Sequence, residues 1–329
     1  MGSAVVAGHV CVDLIPELPV VPPNVPGELV EVGPLGLSAG GCVANTAAGL
    51  AALGAEVEAV GDAGDDELGA TLVRMLAARG TRADQIRLLE GRSTSYSVVV
   101  QPPGRDRSFW HHVGANAEFD GSAVRLDGAE LLHVGYPSLL PRLIADGGAA
   151  LEALLGRARE AGVTTSLDLA VLDPQSAAAR HDWPALLRRV LPLVDVLSPS
   201  VDDVRTTLGI DGPPSGVART LMDMGAAVVL VTAGAEGQHL RAAPRERLAR
   251  AGRLFESAER QAAWGEHDEH ALAAAVEVRT TLGAGDAATA GLLFGILTGL
   301  APGESLALAV STAAARVSEA PVEPALRRG

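Results

Sequence analysis

Short apolar runs alternate along the chain with longer segments that suit helices. Most of these runs are rich in Val, Leu and Ala and lack regular polar positions, which is typical of strands buried on both faces of a parallel sheet. The predicted strands lie at Ala4–Val12, Glu56–Gly61, Leu131–Val134, Val163–Leu167, Val194–Leu197 and Ala226–Val231. The predicted helices lie at Thr46–Leu53, Leu68–Gly80, Leu139–Ala161, Arg245–Ala263 and Gly303–Val317. Strands that alternate with helices in this way predict an α/β fold.

Two segments depart from this alternation. Leu14–Ser38 is rich in Pro, Val and Gly, and its charged and apolar residues alternate at Glu28-Leu-Val-Glu-Val32. Ser93–His112 holds the run Ser95-Tyr-Ser-Val-Val-Val100, followed by the turn Pro102-Pro-Gly104. Alternation and turn residues of this kind predict a β-ribbon outside the main core.

The stretch Thr281-Leu-Gly-Ala-Gly-Asp-Ala-Ala-Thr-Ala-Gly291 carries the strongest chemical signal. It follows the apolar run Ala271–Val278, predicted as a strand, and precedes the helical segment Leu292–Leu300. Gly283 and Gly285 allow a tight turn and close approach of a ligand to the backbone. The amides of Gly283, Ala284 and Gly285 then lie at the positive end of a helix dipole, where phosphate oxygens bind.

Asp286 places a carboxylate inside this predicted anion site. A carboxylate repels phosphate, so it is better explained as a general base that takes a proton from a hydroxyl attacking phosphorus. The alternative is an ordinary strand-to-helix turn in which Asp286 only caps the helix.

A second glycine pair opens another predicted helix at Gly40-Gly41-Cys42-Val43-Ala44-Asn45. Taken with Thr281–Gly291, it resembles the two signature stretches of the ribokinase-like (PfkB) carbohydrate kinase family, in order, separation and chain length. The resemblance covers nearly the whole chain. It implies a single ribokinase-like α/β domain over 1–329, with a doubly wound, mainly parallel central sheet flanked by helices.

The resemblance also implies a small β-sheet lid over the sugar, formed by about 13–38 and 93–115. A lid sheet with an apolar face often pairs with its copy, so a homodimer through the lid is expected. Trp110, His111 and His112 are expected to line the sugar, with an exposed position on a strand as the alternative for the two histidines. The residues expected to bind the sugar are Asp13, Gly40, Gly41, Asn45 and Arg107. Asp168 joins them as a strand-end candidate, with a simple cap as its alternative.

For the nucleotide, the resemblance implies ATP and Mg²⁺. Thr232-Ala-Gly-Ala-Glu-Gly237 is similar to a family turn at the ATP phosphates, so Thr232, Gly234 and Gly237 are expected to bind nucleotide. Ser200 and Asp203 occupy the positions of a family Asn, which contacts phosphate, and a family Glu, which organises Mg²⁺ through water. Ser200 as a plain N-cap is the alternative. Thr280 replaces an Asp that helps to bind K⁺ in some relatives, which makes K⁺ activation doubtful.

Composition excludes several other classes of function. The chain has 329 residues, a net charge of −14 and no Lys, which argues against a nucleic-acid surface, a Walker-type phosphate loop and Schiff-base chemistry. Two cysteines favour a reduced, cytoplasmic protein. No apolar stretch is long enough for a membrane span, and the first residues lack the pattern of a signal peptide.

The sequence therefore predicts an ATP-dependent sugar kinase. The alternatives are a nucleoside kinase of the same family, a sugar-binding sensor without catalysis, or a dehydrogenase; no G-x-G-x-x-G follows the first predicted strand, which disfavours the last. The charged segment 241–270 has no assigned role, and its His267-Asp-Glu-His270 is expected to be a solvated loop rather than a metal cluster.

Overall fold

The computed structural model describes residues 2–21, 25–103 and 107–321. The strands are β1 (Ser3–Gly8), β2 (Cys11–Pro16), β3 (Leu35–Gly40), β4 (Glu56–Gly64), β5 (Arg82–Leu89), β6 (Tyr96–Val100), β7 (Ser108–His112), β8 (Leu131–Gly135), β9 (Thr164–Asp168), β10 (Val196–Leu197), β11 (Val228–Thr232), β12 (Gln238–Ala242) and β13 (Asp268–Ala271). The α-helices are α1 (Gly41–Leu53), α2 (Glu67–Ala78), α3 (Pro141–Glu160), α4 (Trp183–Val190), α5 (Val201–Leu208), α6 (Pro214–Asp223), α7 (Arg245–Leu248), α8 (Ala258–Trp264), α9 (Ala284–Thr298) and α10 (Pro302–Ser318).

The central sheet has the order β13-β12-β11-β10-β9-β8-β1-β4-β5. Its strands run parallel from β5 to β11, and β12 and β13 add an antiparallel edge. The chain builds outward from β1 through β4 to β5, and then returns to β8 on the other side of β1. This reversal makes the sheet doubly wound, which confirms the predicted fold class.

Helices cover both faces of this sheet, because successive side chains of a strand point to opposite faces. Val6 of β1 belongs to the core that also contains Leu50 of α1 and Leu292 of α9. Its neighbour Val5 belongs to the opposite core, with Leu151 of α3. Two apolar layers therefore hold the strand ends at β1 and β8 in place. No helix in the described parts of the chain is long and apolar enough to cross a membrane.

A smaller sheet has the order β3-β2-β6-β7 and matches the predicted lid. Residues in register across a sheet share a face, so each row of this sheet can be assigned to one side. One row is polar and consists of Ser38, Asp13, Ser97 and His111. The next row lies on the opposite face, is apolar, and consists of Leu37, Leu14, Val98 and Trp110. Positions 22–24 and 104–106 of the predicted lid, the latter including Gly104 of the predicted turn, lie outside the described residues.

The predicted strand Ala4–Val12 is two strands that belong to different sheets. The chain leaves the central sheet after Gly8 and enters the lid at Cys11. Asn116 holds the connection, since its side chain donates to the Val10 carbonyl (2.8 Å) and accepts from the Val10 amide (3.4 Å). Hydrophobicity runs unbroken through the connection because its residues are buried as deeply as the strands.

Three other predicted elements are wrong or incomplete. Ala271–Val278 is not a strand; beyond β13 it is an exposed, irregular segment whose alanines and valines do not pack into the core. Arg245–Ala263 is not one helix, because α7 ends at Leu248 and α8 begins at Ala258. The predicted helix Leu139–Ala161 is α3, interrupted by a turn at Ala145–Gly148. Apolar composition alone does not report these breaks in backbone direction.

The segment 241–270 is built into the fold. The rings of Phe255 and Trp264 are fully buried and meet edge to face, 5.5 Å apart. The backbone amide of Gly252, in the same segment, donates to the buried carboxylate of Asp195 (3.0 Å), which also accepts from Arg159 (3.1 Å). The His267–His270 tetrad is not a loop, since it contributes to the edge strand β13.

Candidate active site

The predicted site residues gather where β1, β8 and β9 end. These strands are neighbours, and β1 and β8 flank the point at which the strand order reverses. Open α/β sheets bind ligands in this crevice. The lid strand β2 and the first turns of α1 and α9 close over the same place.

The Gly283 turn opens α9. Gly283 has φ +74° and precedes the first helical residue, Ala284. A Cβ at Gly283 would lie 3.3 Å from Asn45 Nδ2, whereas one at Gly285 would meet no described atom within 4 Å. Gly285 is exposed and borders open space at the start of this long helix, where an anion could approach, and the Ala284 amide donates to the Thr281 carbonyl (3.3 Å). The turn leading into the site is fixed by Arg316, whose Nε donates to the Leu282 carbonyl (2.8 Å).

Asp286 lies in the first turn of α9 and is 2% exposed. Its carboxylate accepts hydrogen bonds from Tyr136 Oη (2.9 Å), Asn45 Nδ2 (3.0 Å) and Thr46 Oγ1 (3.3 Å). The N-cap of α9 is Gly283, and the three hydrogen bonds of the Asp286 carboxylate come from side chains outside α9, so Asp286 is not a simple N-cap. Burial raises the pKa of Asp286, and the three donors oppose that rise. The carboxylate is thus held in one orientation with increased affinity for a proton.

The glycine pair before α1 makes room for Asp13 and for the crossing chain. A Cβ at Gly40 would lie 2.2 Å from Asp13 Oδ2, so only glycine fits there. Gly41 has φ +83°, a conformation that glycine adopts without strain. Asp13 is 5% exposed, and burial raises its pKa to about 6, against the attraction of Arg79 and Arg316.

Two predicted sugar-binding residues make contacts inside the protein. Asn45 donates to Asp286, so it connects the two signature stretches. Arg107, on the lid, donates to the hydroxyl and, at 3.5 Å, to the carbonyl of Thr281. Its guanidinium also lies 5.6 Å from the centre of the Phe109 ring. Arg107 therefore joins the lid to the Gly283 turn.

Asp168 and Asp203 add negative charge beside Asp286. Burial, then repulsion from Asp203 and Asp286, raises the pKa of Asp168 well above its usual value. Burial also raises the pKa of Asp203 to about 6. Asp203 forms a capping box with Ser200: Ser200 N donates to Asp203 Oδ2 (2.8 Å), and Asp203 N donates to Ser200 Oγ (3.1 Å). Ser200 is therefore the N-cap of α5, the alternative to its predicted role in nucleotide binding.

Residues 2–21, 25–103 and 107–321 contain no group of three His, Cys, Asp or Glu side chains that could hold a metal ion by themselves. Asp168 and Asp203 nevertheless suit a cation that also has other ligands. Their carboxylates are hard oxygen donors, and their mutual repulsion would be relieved by positive charge.

The predicted nucleotide turn connects β11 to β12. Thr232 N donates to the Pro199 carbonyl (3.0 Å), which brings this turn to the start of α5. A Cβ at Gly234 would meet no described atom within 4 Å, whereas a Cβ at Gly237 would lie 2.1 Å from the Ala271 carbonyl oxygen. Gly237 is therefore required for packing against the end of β13, irrespective of any ligand.

Comparison with known proteins agrees with this geometry. Residues 1–325 match the family described as pfkB family carbohydrate kinase. The chain belongs to this family. It is 29% identical to a fructokinase of Klebsiella pneumoniae over 96% of this chain and 91% of the relative. It is 28% identical to a 2-dehydro-3-deoxygluconokinase of Thermoproteus tenax over 85% of this chain and 78% of the relative.

A solved structure gives the same result for the fold. Arabidopsis thaliana ribokinase, in complex with ribose and ATP, superposes with a TM-score of 0.72 at 22% identity, over 96% of this chain and 93% of that one. The family match and the curated relatives make this PfkB carbohydrate kinase a phosphotransferase with an alcohol group as acceptor.

Several residues of this PfkB kinase site were not predicted from the sequence. Tyr136 and Thr46 bind Asp286 directly, and Arg79 donates to the Ala39 carbonyl (3.0 Å) beside Asp13. Tyr136 follows β8 at a predicted strand end, which was an available signal. Thr46 lies one residue after Asn45, but its contact depends on the angle at which α1 meets α9. No local pattern predicts that Arg79 and Arg316 approach Asp13.

Proposed function

We propose that this kinase transfers the γ-phosphoryl group of ATP to a hydroxyl of a sugar. The observation that carries the proposal is the buried Asp286 at the start of α9, hydrogen-bonded to Asn45 at 3.0 Å. This contact unites an anion-binding helix end with the glycine pair that borders Asp13. A phosphate site and a polyol site that share one base are what phosphoryl transfer to an alcohol needs.

In the proposed step, the acceptor hydroxyl oxygen forms a bond to the γ-phosphorus, and the bond from that phosphorus to the bridging oxygen of ADP breaks. Asp286 receives the hydroxyl proton, so ADP leaves with the electron pair of the broken bond. The raised pKa of Asp286 favours this proton transfer. The amides of Gly283, Ala284 and Gly285 stabilise the charge on the transferring oxygens, and the Ala284 amide exchanges its 3.3 Å hydrogen bond to the Thr281 carbonyl for one to phosphate.

The nucleotide and metal ligands are proposed from the positions of the residues around the crevice. Thr232 and Gly234 border the open turn between β11 and β12, where ATP phosphates would lie. Asp203, with Asp168 beside it, would hold Mg²⁺ through water. Bound Mg²⁺ would neutralise phosphate charge in this acidic crevice. Ser200 contributes by fixing Asp203 through the capping box.

A sugar is favoured over a nucleoside as acceptor. Trp110, whose ring could stack on a base, lies on the apolar row, faces away from Asp13, and is 65% exposed. The polar row carries Asp13 and His111 toward the site. Asp13, with the backbone of Gly40 and Gly41, suits the hydroxyls of a sugar.

The apolar row supports a homodimer through the lid. Leu37 and Trp110 are exposed at its two ends, with Leu14 and Val98 between them. An apolar sheet face of this kind is stabilised when a second copy covers it. Replacement of Leu37 and Trp110 by Asp should give a monomer in light scattering, whereas an unchanged mass would contradict the dimer.

The test of function is ADP release with Mg-ATP from D-fructose, D-ribose, 2-dehydro-3-deoxygluconate, adenosine and inosine. Loss of a general base typically costs 10²–10⁴ in rate, so Asp286→Asn should lower kcat on the active sugar by about that factor. The exposed Asp127→Asn is the matched control and should keep full activity. Full activity in folded Asp286→Asn would refute the role of Asp286, and sugar binding without turnover in the wild-type chain would favour a sensor.

The monovalent cation is tested in the same assay. Thr280 supplies no charge where K⁺ would need a carboxylate, and its hydroxyl accepts from Leu282 N (3.1 Å). Rates in Na⁺ and in K⁺ are therefore expected to agree within about twofold, since charge accounts for most cation affinity. A rate that depends on K⁺ would contradict the argument from Thr280.

A further inference from the structure

His9 is a buried polar residue that the proposed chemistry does not use. It follows β1 directly and is 3% exposed, yet neither ring nitrogen has a hydrogen-bond partner among the described residues. Burial, with a smaller contribution from His111, lowers the pKa of His9 well below its usual value, so the ring is neutral. A neutral imidazole has one donor and one acceptor, and leaving them unpaired in the interior is costly.

His111 lies against His9 and has a similar unused group. The two rings meet edge to face with centroids 5.0 Å apart. His111 Nδ1 is 3.0 Å from Ser97 Oγ, whereas its Nε2 is buried without a described partner. Because His111 is on the polar row of the lid, it faces the same side as Asp13.

The two imidazoles border the atoms that would hold the acceptor. The ring of His9 stacks on that of Tyr136 at 6.0 Å, and Tyr136 donates to Asp286. On its other side, His9 Nδ1 lies close to Gly41, since a Cβ added at Gly41 would be 2.6 Å from this nitrogen. The unpaired nitrogens therefore lie near both the proposed base and the glycine pair. Two belong to His9, in the connection after β1, and one belongs to His111, on the lid.

We propose that His9 and His111 form a subsite that reads a hydroxyl of the acceptor other than the one phosphorylated, and that the acceptor is an uncharged sugar. This inference rests on the proposed function. A hydroxyl both donates and accepts, so it complements neutral imidazole nitrogens. A carboxylate would bring a negative charge into this buried site. The pair could balance that charge only when protonated, and two adjacent buried rings resist protonation. The pair would also distinguish acceptors, since a site built to bind a hydroxyl rejects the analogue that lacks it.

The experiment combines His9→Phe with a series of monodeoxy sugars. D-Fructose and D-ribose are assayed beside their monodeoxy analogues, with ADP release for kcat/KM and calorimetry without ATP for sugar binding. In the wild-type kinase, removal of the recognised hydroxyl should lower kcat/KM by about 10–100-fold. The His9→Phe variant should show a kcat/KM for the intact sugar that is lower by a similar factor. In this variant, removal of the recognised hydroxyl from the sugar should then change kcat/KM by less than about threefold.

Further variants separate recognition from folding. His9→Gln keeps a donor and an acceptor and should restore part of the discrimination, and His111→Phe should abolish it as His9→Phe does. Equal discrimination in wild type and folded His9→Phe would overturn the subsite while leaving the kinase intact. Turnover of 2-dehydro-3-deoxygluconate but of neither neutral sugar would overturn the uncharged acceptor. Turnover of no sugar would remove the proposed function, and this inference with it.

Discussion

Asp13→Asn should stabilise the folded protein at neutral pH, although it removes a proposed ligand of the sugar. Burial moves the pKa of Asp13 from 3.8 to about 6, and one pKa unit corresponds to about 1.4 kcal/mol. Ionised Asp13 therefore destabilises the folded state by about 3 kcal/mol above pH 6. Asn carries no charge at any pH, so the variant should be more stable than wild type by about that amount at pH 7.5.

The stability difference between Asp13→Asn and wild type should depend on pH. Since the folded-state pKa is raised, the destabilisation by Asp13 is complete above about pH 6 and disappears below the unfolded value of 3.8. Urea unfolding of both proteins should show the gap falling below about 1 kcal/mol at pH 4. Asp127→Asn, at an exposed position, should show no gap at either pH. An Asp13→Asn variant that is no more stable at pH 7.5, or a gap that is the same at pH 4, would refute the reasoning.

Two further predictions follow from hydrogen bonds described above. Tyr136→Phe removes a donor that lowers the pKa of Asp286, so that pKa should rise and the acid limb of the kcat/KM profile should move to higher pH; an unshifted limb would show that Tyr136 does not act on the base. Asp195→Ala removes a fully buried carboxylate from two partly buried arginine side chains and should lower the free energy of unfolding by about 3 kcal/mol in urea titrations. A loss below about 1 kcal/mol would show that these ion pairs contribute no more than surface salt bridges.

Much of the fold could be predicted because its signals are local. Central strands covered on both faces must be apolar throughout, and the glycine turns at Gly40 and Gly283 are needed at fixed backbone positions. The grouping of Asp286 with the first signature came from resemblance, and the contact between Asn45 and Asp286 agrees with it. The family could therefore be predicted from two local sequence motifs, without knowledge of the contact between them.

The rest depends on contacts that sequence does not encode locally. His9 lies in an apolar run, and only the change of sheet at this point turns its ring toward His111. The alternation of β6 and β7 did contain the information that His111 and Trp110 face opposite sides. Applying it required the register with β2, which is set by pairing across the sheet. Breaks such as the one after Leu248 follow from packing against the core, which composition does not report.

The passage from β1 to β2 has a mechanical consequence. The lid is joined to the central sheet at this end by His9 and Val10 alone, and Asn116 grips Val10 from the side. Any rotation of the lid would be absorbed at this connection, whose His9 also belongs to the proposed acceptor subsite. Opening the lid would therefore pull Asp13 away from His9 and take the pocket apart, and a sugar that bridges the two would draw the sheets together. Acceptor binding and lid closure are then a single motion.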